Sequence, residues 1–574
     1  MLPTDAYPTL TPDQTERLRV VGHEEAVTAG TELFHEGDAS YDFFVILDGE
    51  AQVYEDTEYE RPIVPEPFGA GHFLGEASLL LGERIFATAR MTASGHVLRV
   101  PASTLRALLA ADTDLASTIL TAFGARRATK AASSAGLTLV GSRSDPDAVR
   151  LGEFVRRNYL PARWLDFENT PDEAAEALRT HNLTADALDG PVVLWGSTIV
   201  LHNPSNLDLA RAVGIGTEPA DDERFDLVVV GAGPAGLAAA VYGASEGLST
   251  VVLDEIGTGG QAGASSRIEN YLGFPTGISG TNLAIRATVQ ANKFGARFVT
   301  PHRATALHRD VTTGGFAVEL TGGTRVHGRA IVVATGARYR RLAVPDIERF
   351  EGAGVYYAAT EMEARACDAA TAIVVGGGNS AGQAAMFLSE RFARVRLLLR
   401  GGDLGKSMSH YLTARIEAAP RITVCRHTEV RAVHGDGRPD GHEALAAVTL
   451  ADTRAGKTER VATPALFVFV GAEPCTEWLR GEAGGLALST DAHGFICTGT
   501  GVPPDHVDPA RWGDVRPDGF ETSEPGVFAV GDVRSGSTKR VAGAVGEGSV
   551  AVKAVHARLA APPVTSFSGE PVPA

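Results

Sequence analysis

The spacing of apolar positions changes several times along the 574 residues. Between residues 30 and 100 it is β-like. Phe43–Leu47 and Ala51–Tyr54 flank Asp48-Gly49, a pair that predicts a type I′ hairpin. A second apolar cluster covers Phe73–Leu81, and Ala87–Val100 reads as another hairpin. Thr104–Lys130 has helical spacing, with Leu105, Leu108, Leu109, Leu115, Ile119, Leu120 and Phe123 recurring every three or four residues. After a small-residue linker, Ala131–Gly136, a compact βαβαββα pattern predicts a small α/β sandwich. Its parts are strand Leu137–Val140, helix Pro146–Arg157, strand Ala162–Asp166, helix Asp172–His181, hairpin Pro191–Trp195 with Thr198–Leu201, and helix Asn206–Val213. Beyond the acidic linker Thr217–Arg224 the pattern becomes parallel α/β. Two strand–glycine loop–helix units lie at 225–245 and 371–391, with β-rich segments between them ending at Ile331–Gly336. The divisions expected are 1–135, 136–216, a discontinuous unit 222–345 with 465–561, an inserted unit 346–464, and a Pro/Ser-rich tail 562–574 that predicts disorder.

Length alone implies about three to five domains. The 52 basic and 70 acidic residues leave a net charge of −18, which argues against nucleic acid or an anionic membrane as partner. Four cysteines, Cys367, Cys425, Cys475 and Cys497, cannot make a disulfide scaffold and contain no Cys-x-x-Cys pair. No metal site is expected. Phe225–Ala244 is apolar enough to suggest a membrane span, but Gly231, Gly233, Pro234 and Gly236 make it a buried strand, turn and helix. With no basic region followed by an apolar stretch at the N-terminus, a secretory leader is not expected and a cytoplasmic protein is.

The strongest chemical signal is Phe225–Val230 followed by Gly231-Ala-Gly233-Pro234-Ala235-Gly236. The first glycine allows a tight turn, the second lets backbone approach a pyrophosphate at the helix N-terminus, and the third lets helix and strand pack closely. The next strand, Thr250–Leu253, ends in Asp254 and Glu255, and Asp254 is placed to bond a ribose hydroxyl. The second unit runs Ala372–Val375, then Gly376-Gly-Gly378-Asn379-Ser380-Ala381. Its following strand, Val395–Leu399, ends in Arg400. A cation there, with Lys406 nearby, suits the 2′-phosphate of NADPH better than NADH. Gly378-Asn-Ser380-Ala-Gly382 also matches a G-x-S-x-G nucleophile elbow, but nothing marks the acid and histidine that a hydrolase needs, and the dinucleotide motif accounts for the same glycines.

In order, Gly231–Gly236, Gly259-Gly260-Gln261 with Glu269-Asn270, Ala334-Thr335-Gly336, Gly376–Ala381, Phe467–Gly471, Gly526–Asp532 and Lys539–Gly543 resemble the thioredoxin reductase-like flavoproteins over residues 225–561. The resemblance implies a multidomain α/β protein whose first Rossmann-like unit binds FAD and whose inserted second unit binds NADPH, a homodimer, and hydride transfer from nicotinamide to flavin. It places Gly531-Asp532 at the flavin's ribityl chain and Arg540, Val541 and Ala542 near its ring. No catalytic acid or base is nominated, because hydride transfer needs positioning more than protonation. In that family a Cys-Ala-Thr-Cys segment precedes the second glycine loop; aligned from Gly354-Val355, this chain has Ala358-Ala359-Thr360-Glu361. Without both thiols a dithiol relay is unavailable. The resemblance then points to the dithiol-free branch, in which reduced flavin discharges to a redox protein, a quinone, oxygen or a small molecule.

Residues 30–130 resemble a cyclic nucleotide-binding domain, a β-roll followed by helices, through Phe34-His-Glu-Gly37-Asp38, Leu47-Asp-Gly49 and Phe73-Leu-Gly75-Glu76-Ala-Ser-Leu79. Glu76 matches the ribose-binding glutamate. Ile85, however, stands where the family has its phosphate-pairing arginine, and Arg84 is one place early, which argues against cyclic nucleotide binding. Residues 137–216 resemble thioredoxin and glutaredoxin, with Pro191 as candidate cis-proline but Ser142-Arg-Ser-Asp145-Pro-Asp147 in place of Cys-x-x-Cys. Besides dithiol-free electron transfer, two functions stay open: disulfide reduction using a partner's thiols, and redox sensing signalled through the N-terminal modules. The inserted loop Thr498–Glu524 is either a docking element or a solvated excursion.

Overall fold

The computed structural model describes residues 6–560 apart from 39–40, 57–60, 65, 77–78, 80–83, 86, 132–136, 144, 159, 185–187, 196–198, 216–218, 221, 264, 266–267, 269, 311–313, 351–353, 358, 360–370, 407, 438–442, 482–484 and 518. The expected tail lies outside this set, as do Cys367 and, except for Ala359, the Ala358–Glu361 segment.

The N-terminal unit is a β-roll built on two long antiparallel strands, Phe43–Asp56 and Thr88–Val100. Asp48-Gly49 forms no hairpin: the strand runs through it, and the ladder shifts register on either side of the Asp48–His96 pair. A type I′ turn needs positive φ at both central residues. Only Gly49 has it, at 83°, and Asp48 instead accepts from the backbone and ring of His96, both at 3.0 Å. Ala87–Val100 likewise forms one strand rather than a hairpin. The helical stretch after it breaks in two, Ala102–Ala111 and Thr113–Ala131, because Asp112 adopts extended backbone and its carboxylate accepts from Leu115 N at 3.0 Å. Arg126 of the second helix is buried and donates to Ala6 O and Gly75 O at 2.7 Å and to Phe73 O at 3.1 Å, stacked 4.6 Å over the Phe73 ring. Burial brings its guanidinium down to about 10.

The second module has the element order that its sequence predicts. Its sheet runs Ile199–His202, Val192–Trp195, Leu137–Val140, Ala162–Leu165, with helices Pro146–Arg157, Pro171–Thr180 and Asn206–Val213. Gly190–Pro191 is trans; the cis bond among the described residues is Thr300–Pro301. Pro191 packs against Gly141, where an added Cβ would lie 3.0 Å from it.

The C-terminal part carries two sheets with parallel cores, the larger one extended by the antiparallel strands Gly315–Leu320 and Ala304–Asp310. The larger runs Arg297–Val299, Thr250–Leu253, Glu223–Val230, Arg325–Val333, Gly315–Leu320, Ala304–Asp310, with Val527–Ala529 alongside Arg325–Val333. The central parallel strands are buried along Leu227–Val230, Thr250–Leu253, Ala330–Val333 and Val527–Ala529, where helices Pro234–Ser245, Gly280–Lys293 and Val541–Ala560 and the opposite layer cover them. The smaller sheet runs Val355–Tyr356, Leu466–Val468, Thr371–Val375, Arg394–Leu399, Ile422–Arg426. Leu466–Val468, which the expected boundary at 465 groups with the first unit, thus pairs in the second. The chain returns through a two-stranded ribbon, Ala337–Tyr339 with Ala472–Pro474. The loop after Thr498 is not a solvated excursion: Trp512 buries against Cys497, Val502 and Val507, and Trp512 Nε1 donates to Ser523 O at 3.0 Å.

Candidate functional site

The carboxyl ends of the larger sheet's strands open onto a cleft of about 430 Å³. The first glycine loop forms its floor. Gly231 has φ 108°, and a Cβ there would lie 2.3 Å from Ala334 O. At Gly236 a Cβ would lie 1.8 Å from Gly231 O, so only glycine lets the helix start this close to the turn. Gly233, the cap of helix Pro234–Ser245, faces open space, its nearest neighbour being Gly260 Cα at 3.8 Å from the Cβ position. The helix's first N–H groups therefore look into the cleft past a backbone without side chains, a cradle for a phosphate.

Asp254 stitches this region together. One oxygen accepts from Ala232 N at 2.8 Å, and the other from Ile256 N and Gly257 N at 3.0 Å. Of roughly four carboxylate lone-pair positions, three are used, which leaves one for a ribose hydroxyl. Glu255 lines the cleft beside it, with Arg303 Nη1 at 4.0 Å. Opposite, Gly531 N donates to Glu547 Oε2 at 2.7 Å, and Arg534 clamps the same carboxylate. Burial pushes the Asp532 carboxyl up, while Lys539 pulls it down and Glu547 adds to the rise. Lys539, 4.5 Å over the Phe495 ring, is lowered by burial.

Of the residues expected at a FAD site, Gly231, Gly233, Pro234, Ala235, Asp254, Glu255, Gly260, Gln261, Asn270, Thr335, Gly336, Gly531, Asp532, Arg540 and Val541 line this one cleft. Gly236 packs beneath it. Ala542 is exposed and faces elsewhere; Ala544, three residues after Val541 and on the same helix face, takes its place. Asn379 and Ser380, from the second glycine loop, line the same cleft, and Asn379 Oδ1 accepts from Ser409 N at 2.8 Å. Gly376, Gly378, Ala381, Arg400 and Lys406 do not line it. Gly376 has φ 144° and a Cβ there would lie 2.3 Å from Phe469 O; Gly378 caps helix Asn379–Ser389 and faces open space; Ala381 is buried beneath. Arg400 and Lys406 are exposed beyond the end of Arg394–Leu399. The second loop is therefore a cradle of the same kind with two cations near the adjoining strand's end.

His302, Arg303, Trp478, Cys475, Glu547 and Arg157 are absent from the sequence-derived set, because each comes from an element remote in the chain with no motif around it. All but Glu547 line the cleft. Burial pushes the Cys475 thiol up, against the pull of Arg338. Cys425, Cys475 and Cys497 are free thiols.

Two glycine-loop α/β units, one inserted in the other and both reaching one cleft, define a protein of the dinucleotide-dependent oxidoreductase class. The family model of the pyridine nucleotide-disulphide oxidoreductases matches residues 225–548, and the chain belongs to that family; a cyclic nucleotide-binding domain matches residues 24–112. Among curated proteins the chain is similar to the thioredoxin reductase of Streptomyces clavuligerus, 31% identical over 61% of this chain and 98% of that protein. It is also similar to the NADH dehydrogenase of Bacillus subtilis, 28% identical over 60% of this chain and 61% of that one. Among solved structures it is similar to the thioredoxin reductase of T. acidophilum, with 27% identity, a TM-score of 0.51, and coverage of 59% of this chain and 100% of that one. These relatives are enzymes, and thioredoxin reductase-like members bind FAD and NADPH. Among the described residues no helix is long and apolar enough to cross a membrane.

Proposed function

We propose that this chain is an oxidoreductase whose cleft would hold FAD and whose second glycine loop would hold NADPH, the two supplying hydride transfer and electron delivery to an acceptor outside the chain without an internal dithiol. The chain's own residues supply binding and orientation. Helix Pro234–Ser245 presents its N–H groups to the pyrophosphate, and Asp254 keeps a lone pair for the ribose. The Gly531-Asp532 turn, braced by Glu547, would hold the ribityl chain. Arg400 and Lys406 favour the 2′-phosphate of NADPH. The observation that carries this reading is that both glycine loops, through Gly231, Gly233, Pro234 and Ala235 and through Asn379 and Ser380, open onto one cleft. The departure from disulfide chemistry rests on Ala358-Ala359-Thr360-Glu361 at the position of the family's thiol pair. Anaerobic NADPH should bleach the flavin of the purified protein within minutes, and a screen of ferredoxin, flavodoxin, quinones and oxygen should find the acceptor that restores its colour. A flavin that keeps its colour under NADPH contradicts the proposal.

The curated thioredoxin reductases favour a second reading, disulfide reduction through a partner's thiols. It predicts NADPH-dependent reduction of thioredoxin or an aromatic disulfide by this chain. A homodimer follows from the family analogy.

We infer further that the N-terminal domain does not hold a cyclic phosphate through the arginine its family uses. Ile85 is wholly buried in the β-roll core. Arg84 turns away: its Nη1 donates to Gly37 O at 2.7 Å, and its Cγ lies 2.5 Å from where a Cβ on Gly214 of the second module would sit. The second module, read as a thioredoxin-like fold without thiols, serves as scaffold.

A further inference from the structure

Neither matched family model covers the second module, yet it contributes to the cleft. Its helix Pro146–Arg157 ends against the loop that follows Thr250–Leu253. Three contacts fix the junction. Ile256 packs onto the module's apolar core. The buried Asn158 amide donates to Ile256 O at 2.8 Å and to Phe154 O at 2.9 Å. Arg156 Nη1 donates to Gly263 O at 3.5 Å. The fit is close: a Cβ on Gly257 would lie 2.8 Å from both Nδ2 and Oδ1 of Asn158.

Between Arg156 and Asn158, Arg157 lines the same cleft as Gly233, Asp254 and Gly260. Its side chain is 14% exposed. Nη2 pairs with Glu153 Oε1 at 3.0 Å, one turn back on the same helix, and Nε is buried without a hydrogen-bond partner. A guanidinium carries five N–H donors in a planar fork and suits phosphate and other oxygen acceptors. Its place beside Asp254 and the 254–263 loop puts it at the nucleotide end of the site. We propose that Arg157 is a cofactor-binding residue supplied by the N-terminal half: its guanidinium donates to the ADP half of FAD, and the second module thereby holds the cofactor. This rests on the reading of the cleft as the FAD site.

The test uses the full chain stripped of flavin. FAD is titrated into the wild type, Arg157→Gln and Arg157→Lys, and affinity is read from quenching of flavin fluorescence. Losing one hydrogen bond to a charged group predicts roughly ten- to a hundredfold weaker binding for Arg157→Gln. Arg157→Lys should recover part of the loss, because it keeps the charge but not the fork. Affinity within twofold of wild type for both variants would overturn the proposal. A second measurement needs no variant: phenylglyoxal labelling of Arg157, read by peptide mass spectrometry, should fall when FAD is bound, and equal labelling of apo and holo protein would overturn it. Absence of FAD binding by the wild type would instead sink the reading of the cleft itself, so the two failures are told apart.

Discussion

Single residues set the cleft. Gly236 is the sharpest case, because a Cβ there would lie 1.8 Å from Gly231 O, and neither atom can move without displacing the strand–turn–helix junction. Gly236→Ala should therefore cost about 3 kcal/mol or more. The expected result is a lowered melting temperature and protein that leaves gel filtration without flavin; full flavin content and unchanged melting would contradict this account. This residue and Asp254 were legible in the sequence because their partners lie within one short strand–turn–helix unit. Glu547 was not. It accepts from Gly531 N sixteen residues away, from the face of a helix, and nothing local marks a buried glutamate as the brace of a distant turn. Arg157 was hidden for the same reason on a larger scale, since its cleft belongs to another module.

At the scale of elements, helix–strand alternation was readable wherever one face is apolar, as in the second module. Places where the backbone departs from a regular ladder were less so. Asp48-Gly49 carries the signal of a turn, yet pairing with Thr88–Val100 continues through it, because the partner strand is long enough to reach both sides. The sequence of the Thr498–Glu524 loop leaves both a docking element and a solvated excursion open, because its fold depends on contacts with residues far away in the chain. Glu524, only 4% exposed, receives Arg511 Nη2 and Arg309 Nη2, both at 2.5 Å. Burial pushes its carboxyl up to about 7, against the pull of Arg309. A carboxyl whose folded pKa lies above its unfolded value adds stability below the unfolded value, near 4.5, and loses that contribution as pH rises through about 7. Glu524→Gln, which does not titrate, should therefore flatten stability across this interval. Urea melts at pH 4.5 and 7.5 check it, and an identical pH dependence in both proteins would refute the assignment.

The whole molecule joins three modules through specific contacts. Trp195 Nε1 of the second module donates to Glu36 Oε1 of the first at 3.0 Å, Arg84 packs at Gly214, and Asn158 holds the flavoprotein loop. The first module has spent its nearest arginine on such a contact, so calorimetry with cyclic AMP and cyclic GMP should give no binding heat; micromolar binding of either would reverse that conclusion. The order of glycine loops along the chain was enough to read the larger architecture. The packing of modules was not readable, because interfaces between modules use isolated side chains without periodicity.

The proposed function requires electron transfer from NADPH through flavin with no thiol of this chain as carrier. The most direct measurement replaces Cys367, Cys425, Cys475 and Cys497 by serine together and mixes the protein anaerobically with NADPH, following the visible flavin band. Bleaching at the wild-type rate and recovery of colour on adding the same acceptor are expected. Bleaching in the wild type with loss of acceptor turnover in the cysteine-free chain would contradict it.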